Sequence, residues 1–453
     1  MRHSTLRVGR LPLAFMLAGL ATLGACADDQ QPVTAPPTLP NAPNLAVGEV
    51  VTVTNARGGI ETGSLRWAVS QATGGEIIRF DPRLAGSTIT LDSTLVIANP
   101  VTIEGPADKG ITVNGGGRGR VIDLPANTGN SSATTLRNVA VTGGKLATDA
   151  GAGIRAARPL VLAHSTVWGN EAVYGPAIQM MNAAALTLVN STVSGNVATQ
   201  PVNPAIWASG AVTIENSTIA YNPQGGVRFG GYPHEALLRN AIVAHNSGPA
   251  GLNCSNTDDM VRHDGMNLST NQTCGESAGM LIADPQLGSL RDNGGPSMTH
   301  AIAAESPAFN AAGLCALAVD QRYMTRDAAC DIGAFESTDK TTVALTVERL
   351  ASVNSAGSSA LVAGTVKCSR GGDTFAVAVQ IEQRGADKTV VTGRGMTNVT
   401  CTTAGQPWSV LVAPLAGAFK GGNATATVMT QQTPTWVAPA TASRSIKLVA
   451  PAI

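Results

Sequence analysis

LTLVNSTVSGN (186–196) and VTIENSTIAYN (212–222) decide how this chain is read, because the second restates the first 26 residues later. LVLAHSTVWGN (160–170), TTLRNVAVTGG (134–144) and ALLRNAIVAHN (236–246) align with them without gaps. One column runs Asn138, His164, Asn190, Asn216, Asn240 and a second runs Gly144, Asn170, Asn196, Asn222, Asn246, both in steps of 26, 26, 26 and 24. A period in the twenties built on alternating apolar residues and an asparagine is one supersecondary unit per repeat, and units with strands but no helix stack as a parallel β-helix. Leu160 and Leu162, Leu186 and Leu188, and Val212 and Ile214 then face inward, with Val167, Val193 and Ile219 refilling the core after the turn. Both asparagine columns are expected to stack inward as amide ladders that satisfy turn backbone. The N-S-T triplets at Asn190 and Asn216 thus belong to the architecture and not to sugar attachment.

The wider composition agrees. Fifty glycines and only 13 % charged residues, 30 basic against 30 acidic, suit a turn-rich all-β chain and argue against a nucleic-acid partner. Residues 1–26 read as a signal peptide: Arg2, Arg7 and Arg10 precede the apolar run Leu11–Leu23. L-G-A-C at 23–26 resembles the bacterial lipobox, which implies lipidation of Cys26, and Ala27 after it points to the outer membrane or cell surface. Residues 27–46 are a Pro-rich tether expected to be disordered. The remaining six cysteines fall in local pairs, Cys254 with Cys274, Cys315 with Cys330 and Cys368 with Cys401, the usage of an exported protein with three disulfides. None has zinc spacing, so no metal site is expected.

The β-helix is expected over 47–246, opened by a capping helix at 64–72, and 247–337 is expected to close its other end. From 338 to 453, long alternating runs such as TFAVAVQIEQ (374–383) predict an immunoglobulin-like β-sandwich.

Two stretches carry a family resemblance. TNARGGIETGSLRWAVSQATGGEIIRF (54–80), with VTIEG (101–105) and ITVNGGG (111–117), resembles the entry segment of pectate-lyase-type right-handed β-helices and the C-S-L-R-E-A surface motif, with Gly63 in place of the cysteine and Trp67 in place of the glutamate. DPQLGSLRDNGGPSMTHAIAAESPAFNAAG (284–313) and DQRYMTRDAACDIGAFES (320–337) closely resemble the choice-of-anchor Q module that accompanies such helices. The resemblance makes Asp284, Asp292, Asn293, Gly294, Gly295, His300, Ser306, Pro307, Asp320, Gln321, Arg322, Asp331 and Glu336 signature positions and implies no catalytic role for them.

A lyase of this fold needs carboxylates for calcium and a basic proton acceptor, and a hydrolase needs two or three aspartates on one face. The register exposes only Glu215 on the expected face, pairing with Arg239 on the next rung. Asp258, Asp259, His263 and Asp264 are the weak catalytic candidates, inside the Cys254–Cys274 loop. His164 reads as a rung partner. Trp168, Tyr221, Arg137, Glu215 and Arg239 are the candidate glycan contacts, Trp168 and Tyr221 as a sparse platform. The expectation is a monomeric, lipid-anchored, non-enzymatic surface protein that meets a polysaccharide or the cell envelope and uses no cofactor. The alternatives are a polysaccharide lyase or glycoside hydrolase, with calcium only in the lyase case, or an inert spacer.

Overall fold

The computed structural model describes residues 48–451, apart from 128, 231–234, 247–251, 256–260, 276, 370 and 435–436. Cys26, the tether, Asp258 and Asp259 lie outside the described residues.

Alternating apolar runs of three or four residues, each followed by a sharp turn, wind into a right-handed parallel β-helix of three sheets with nine, nine and seven strands. In the first sheet Ile78, Ile103, Leu136, Leu162, Leu188, Ile214, Leu238 and His263 stack in register facing inward. Val113, Val141, Val167, Val193, Ile219 and Val243 do so in the second sheet, and Ile122, Ile154, Ile178, Ile206 and Val227 in the third. One continuous buried core results. The short helix Leu65–Gln71, N-capped by the Ser64 hydroxyl accepting from the Trp67 N–H at 3.1 Å, adds Leu65, Ala68 and Val69 to it.

The chain turns from the first to the second sheet through one left-handed residue. Asn138, His164, Asn190, Asn216 and Asn240 hold this corner at φ from 42° to 58°, a conformation that asparagine tolerates better than most side chains. A second corner follows at Gly143, Gly169, Gly195, Tyr221 and His245, all at positive φ.

The two asparagine columns therefore differ. Asn170, Asn196, Asn222 and Asn246 point inward and form an amide ladder, each Nδ2 donating to the Oδ1 of the next at 3.0, 3.1 and 2.8 Å, ending on Asn253. The corner column does not stack on itself. Its inward place is taken by the next residue, where Val139, Ser165 and Ser191 N–H groups donate to the hydroxyls of Ser165, Ser191 and Ser217 at 3.1, 3.2 and 3.1 Å. Alternation forces this: the left-handed corner turns Asn190 outward and hence Ser191 inward.

The coils run past the expected boundary at 246, with Cys254–Ser255, Val261–Asp264, Asn267–Ser269 and Met280–Ile282 joining the three sheets. Residues 284–336 then run back along the outside of the second sheet as a strap. Phe309, Ile302 and Ile332 pack on the outward Ile242 and Leu268. All three disulfides pair as the spacing predicted.

The strands at 343–449 form one antiparallel-dominated sheet around a separate core. Ala360–Cys368 pairs with both Leu350–Val353 and Gln406–Pro414, so seven strands close on themselves. The expected two-sheet immunoglobulin-like sandwich gives way to this barrel-like closure. Thr374–Arg384 and Val390–Thr400 stay paired for their full eleven residues and bridge what would have been two layers.

Candidate functional site

The prism has three outer faces, and each answers a different question about the candidate residues. On the first sheet, one outward column reads Arg79, Glu104, Arg137, Ala163, Val189, Glu215, Arg239, Asp264 in register. Arg79 Nε lies 2.9 Å from Glu104, and Arg137 Nε lies 3.8 Å from it on the other side. Arg239 Nη1 lies 3.3 Å from Glu215 while its Nε donates to Asp264 at 2.8 Å. Burial pushes the Glu215 carboxyl up against the pull of Arg239. Glu215 and Arg239, 3 % and 8 % exposed, are thus interior groups of a compensated ion-pair row and are closed to a glycan.

His263 and Asp264 cannot work together. Successive strand residues point to opposite sides, so His263 continues the inward column, where burial lowers its pKa, while Asp264 faces out to Arg239. Among the described residues no three His, Cys, Asp or Glu side chains are grouped to hold a metal ion.

The second face is occupied by the strap. His164 stacks on Tyr323 with ring centroids 4.1 Å apart and presents Nδ1 to the Gln321 carbonyl at 3.1 Å; burial pulls its pKa down to about 4. Asn190 Nδ2 donates to the Val319 carbonyl at 2.9 Å, and Tyr323 Oη donates to Asn138 at 2.8 Å. The corner column is a docking seam, and buried Asn190 and Asn216 have no room for a sugar. Gln321 is the central clip: Nε2 donates to the Ser297 and Thr166 hydroxyls at 2.7 and 3.0 Å, and Oε1 accepts from Thr192 at 2.7 Å.

Polar residues of 284–336 tie the strap to itself and to the coils. Asp320 accepts the backbone N–H groups of Arg322, Met324 and Glu336. Arg326 joins Glu336 at 2.9 Å, and Asp331 accepts the Asn310 N–H at 2.6 Å. His300 accepts from the Ser194 hydroxyl at 2.9 Å, and Asp284 meets His245 at 2.9 Å. Burial raises both the Asp331 and the Glu336 carboxyls.

Trp168 and Tyr221 do not share a platform. Trp168 lies in register with Ser194 and, beyond it, Ala220. It lines a groove of about 490 Å³ at the end of the strap with Asn114, Thr142, Lys109 and Asp292. Tyr221 is one position further on, at the second corner; it stacks on His245 with centroids 5.0 Å apart, and its hydroxyl donates to the Leu287 carbonyl.

The chain resembles in architecture the solved pectate lyase Pel9A (15 % identity, 65 % of this chain and 98 % of that one, TM-score 0.30). It also resembles the tailspike of an Acinetobacter phage (14 % identity, 88 % and 88 %, TM-score 0.25) and tailspike protein 4 of bacteriophage CBA120 (12 % identity, 83 % and 55 %, TM-score 0.22). No protein-family model matches the chain, and no curated protein does. The fold assignment rests on the strand registers.

The third face holds what the repeat alignment missed. Asp123, Arg155, Gln179, Trp207 and Arg228 form its outward column in register. Their strands read G-I-R-A (153–156), A-I-Q-M (177–180), A-I-W-A (205–208) and G-V-R-F (226–229), a small–apolar–variable–apolar signal. Their spacing is irregular, with Ile154, Ile178, Ile206 and Val227 separated by 24, 28 and 21 residues, so no fixed period exposes them.

Proposed function

We propose that this protein is an exported, lipid-anchored surface protein whose β-helix is a rigid, non-catalytic scaffold for contact with a polysaccharide or the cell envelope. The compensated row on the first sheet carries this reading. Glu104, Glu215 and Asp264 each lie against an arginine on a neighbouring rung, so among the described residues of that column no pair of free carboxylates faces solvent to act as acid and base. The lipobox-like L-G-A-C, the Pro-rich stretch after it and three disulfides support an anchored life in an oxidising compartment.

Incubating the protein with a panel of polyuronates and plant and bacterial glycans, with and without calcium, separates the readings. Retention of a glycan without new chain ends is the expected result. Cleavage of any member overturns it in favour of a lyase or hydrolase, and neither retention nor cleavage overturns it in favour of a spacer. Cys26→Ala is expected to leave the membrane fraction and lose label from a fatty-acid analogue; a variant that stays in membranes and keeps the label rules out the anchor.

A further inference from the structure

On the third sheet, Gln179, Trp207 and Arg228 occupy successive rungs of one outward column. Tyr174, 40 % exposed, sets its ring 5.6 Å from that of Trp207 at 51°, giving a V-shaped aromatic pair. Further along the column the charges cancel, Asp123 holding Arg155 through two bonds of 2.7 and 3.1 Å, and beside the column Asp149 holds Arg120 at 2.7 Å. Arg228 differs. Its guanidinium carbon lies 4.7 Å over the Trp207 ring, and among the described residues no carboxylate pairs with it.

A guanidinium with no carboxylate partner among the described residues and exposed aromatic surface in one strip are complementary to a single ligand chemistry. The C–H face of a pyranose packs on aromatic rings. An anionic substituent meets the planar fork of an arginine. Rungs recur every ~4.8 Å, so a linear polymer lying along the solenoid axis meets a fresh side chain at each rung. We propose that this strip is a non-catalytic binding site for an anionic polysaccharide, with Trp207 and Tyr174 as the stacking platform and Arg228 as the anion contact. The inference rests on the scaffold reading above and gives it a location, away from both the first-sheet ion-pair row and the strap.

The test titrates the full-length protein with an alginate hexasaccharide and with maltohexaose, followed by tryptophan fluorescence and calorimetry. Alginate is expected to bind more tightly. Trp207→Ala should weaken it roughly tenfold or more and Tyr174→Ala several-fold, the range of one lost stacking contact. Arg228→Gln should weaken alginate by roughly tenfold and leave maltohexaose unchanged. Circular dichroism and melting temperature check that each variant folds, and the surface position of Tyr174 and Arg228 keeps the test valid should Trp207→Ala fail to fold. Alginate binding unchanged in all three variants overturns this site and leaves the scaffold reading standing. Equal weakening of both probes by Arg228→Gln overturns the anionic assignment. Failure of the wild-type protein to retain any saccharide overturns the scaffold reading, and the site with it.

Discussion

Asn196 and Asn216 look alike in the sequence, yet they do opposite things. Asn196 accepts from the Asn170 backbone and side chain and donates to the Val167, Ser194 and Asn222 oxygens. Asn196→Ala should cost about 3 kcal/mol in chemical denaturation, because several buried groups lose their partners at once. Asn216 sits in a left-handed corner at φ 42°, and neither of its side-chain polar atoms has a partner. Asn216→Gly is expected to be neutral or to stabilise by up to about 1 kcal/mol, since glycine adopts that conformation freely. The residue at the same corner two rungs earlier confers a pH dependence. His164 is held neutral, with a pKa of about 4 against the usual 6.5. A lowered histidine stabilises fully above the unfolded value and loses that contribution as pH falls through the folded one. Strap docking should therefore weaken between about pH 6.5 and pH 4, by on the order of 3 kcal/mol at most. Melting temperature followed over that range should fall less steeply with pH for His164→Asn than for the wild type.

At the scale of elements, the strap decides which outer face is available. Thr166, Thr192 and Thr218 face outward from the second sheet, and Met298, Gln321 and Ala334 cover them. Gln321→Leu leaves the Ser297, Thr166 and Thr192 hydroxyls without their shared partner and should cost on the order of 3 kcal/mol. Limited proteolysis should then cut first within 284–337 while the coils resist. The position of this segment was not legible in the sequence. Asp320, Arg322, Asp331 and Glu336 meet because the strap folds on itself, and periodicity carries no information about a segment that has none. The third-sheet strands escaped for the reason already visible in their spacing: loops of unequal length displace the register without altering the stack.

Over the whole molecule, two separate cores and three disulfides are distributed unevenly. Cys368 and Cys401 close a 33-residue separation within the barrel core, while the other two bridges belong to the coils and strap. Cys368→Ser with Cys401→Ser should lower the stability of the barrel by about 3 to 4 kcal/mol. A calorimetric scan is expected to show the barrel transition moved and the solenoid transition in place; a uniform shift of both would mean that the two cores unfold as one. The chain by itself determined the solenoid, its inward residues, the disulfide pairing and the amide ladder, because these depend on contacts between rungs that repeat at a readable interval. Tertiary structure alone decided that the corner asparagines face outward, that a strap buries the second face, and that Tyr174, Trp207 and Arg228 share the third. A single left-handed corner reverses which residues point inward, and a docked segment hides a face by contacts 129 and 157 residues apart, from Thr192 and His164 to Gln321. Neither effect leaves a local trace in the sequence.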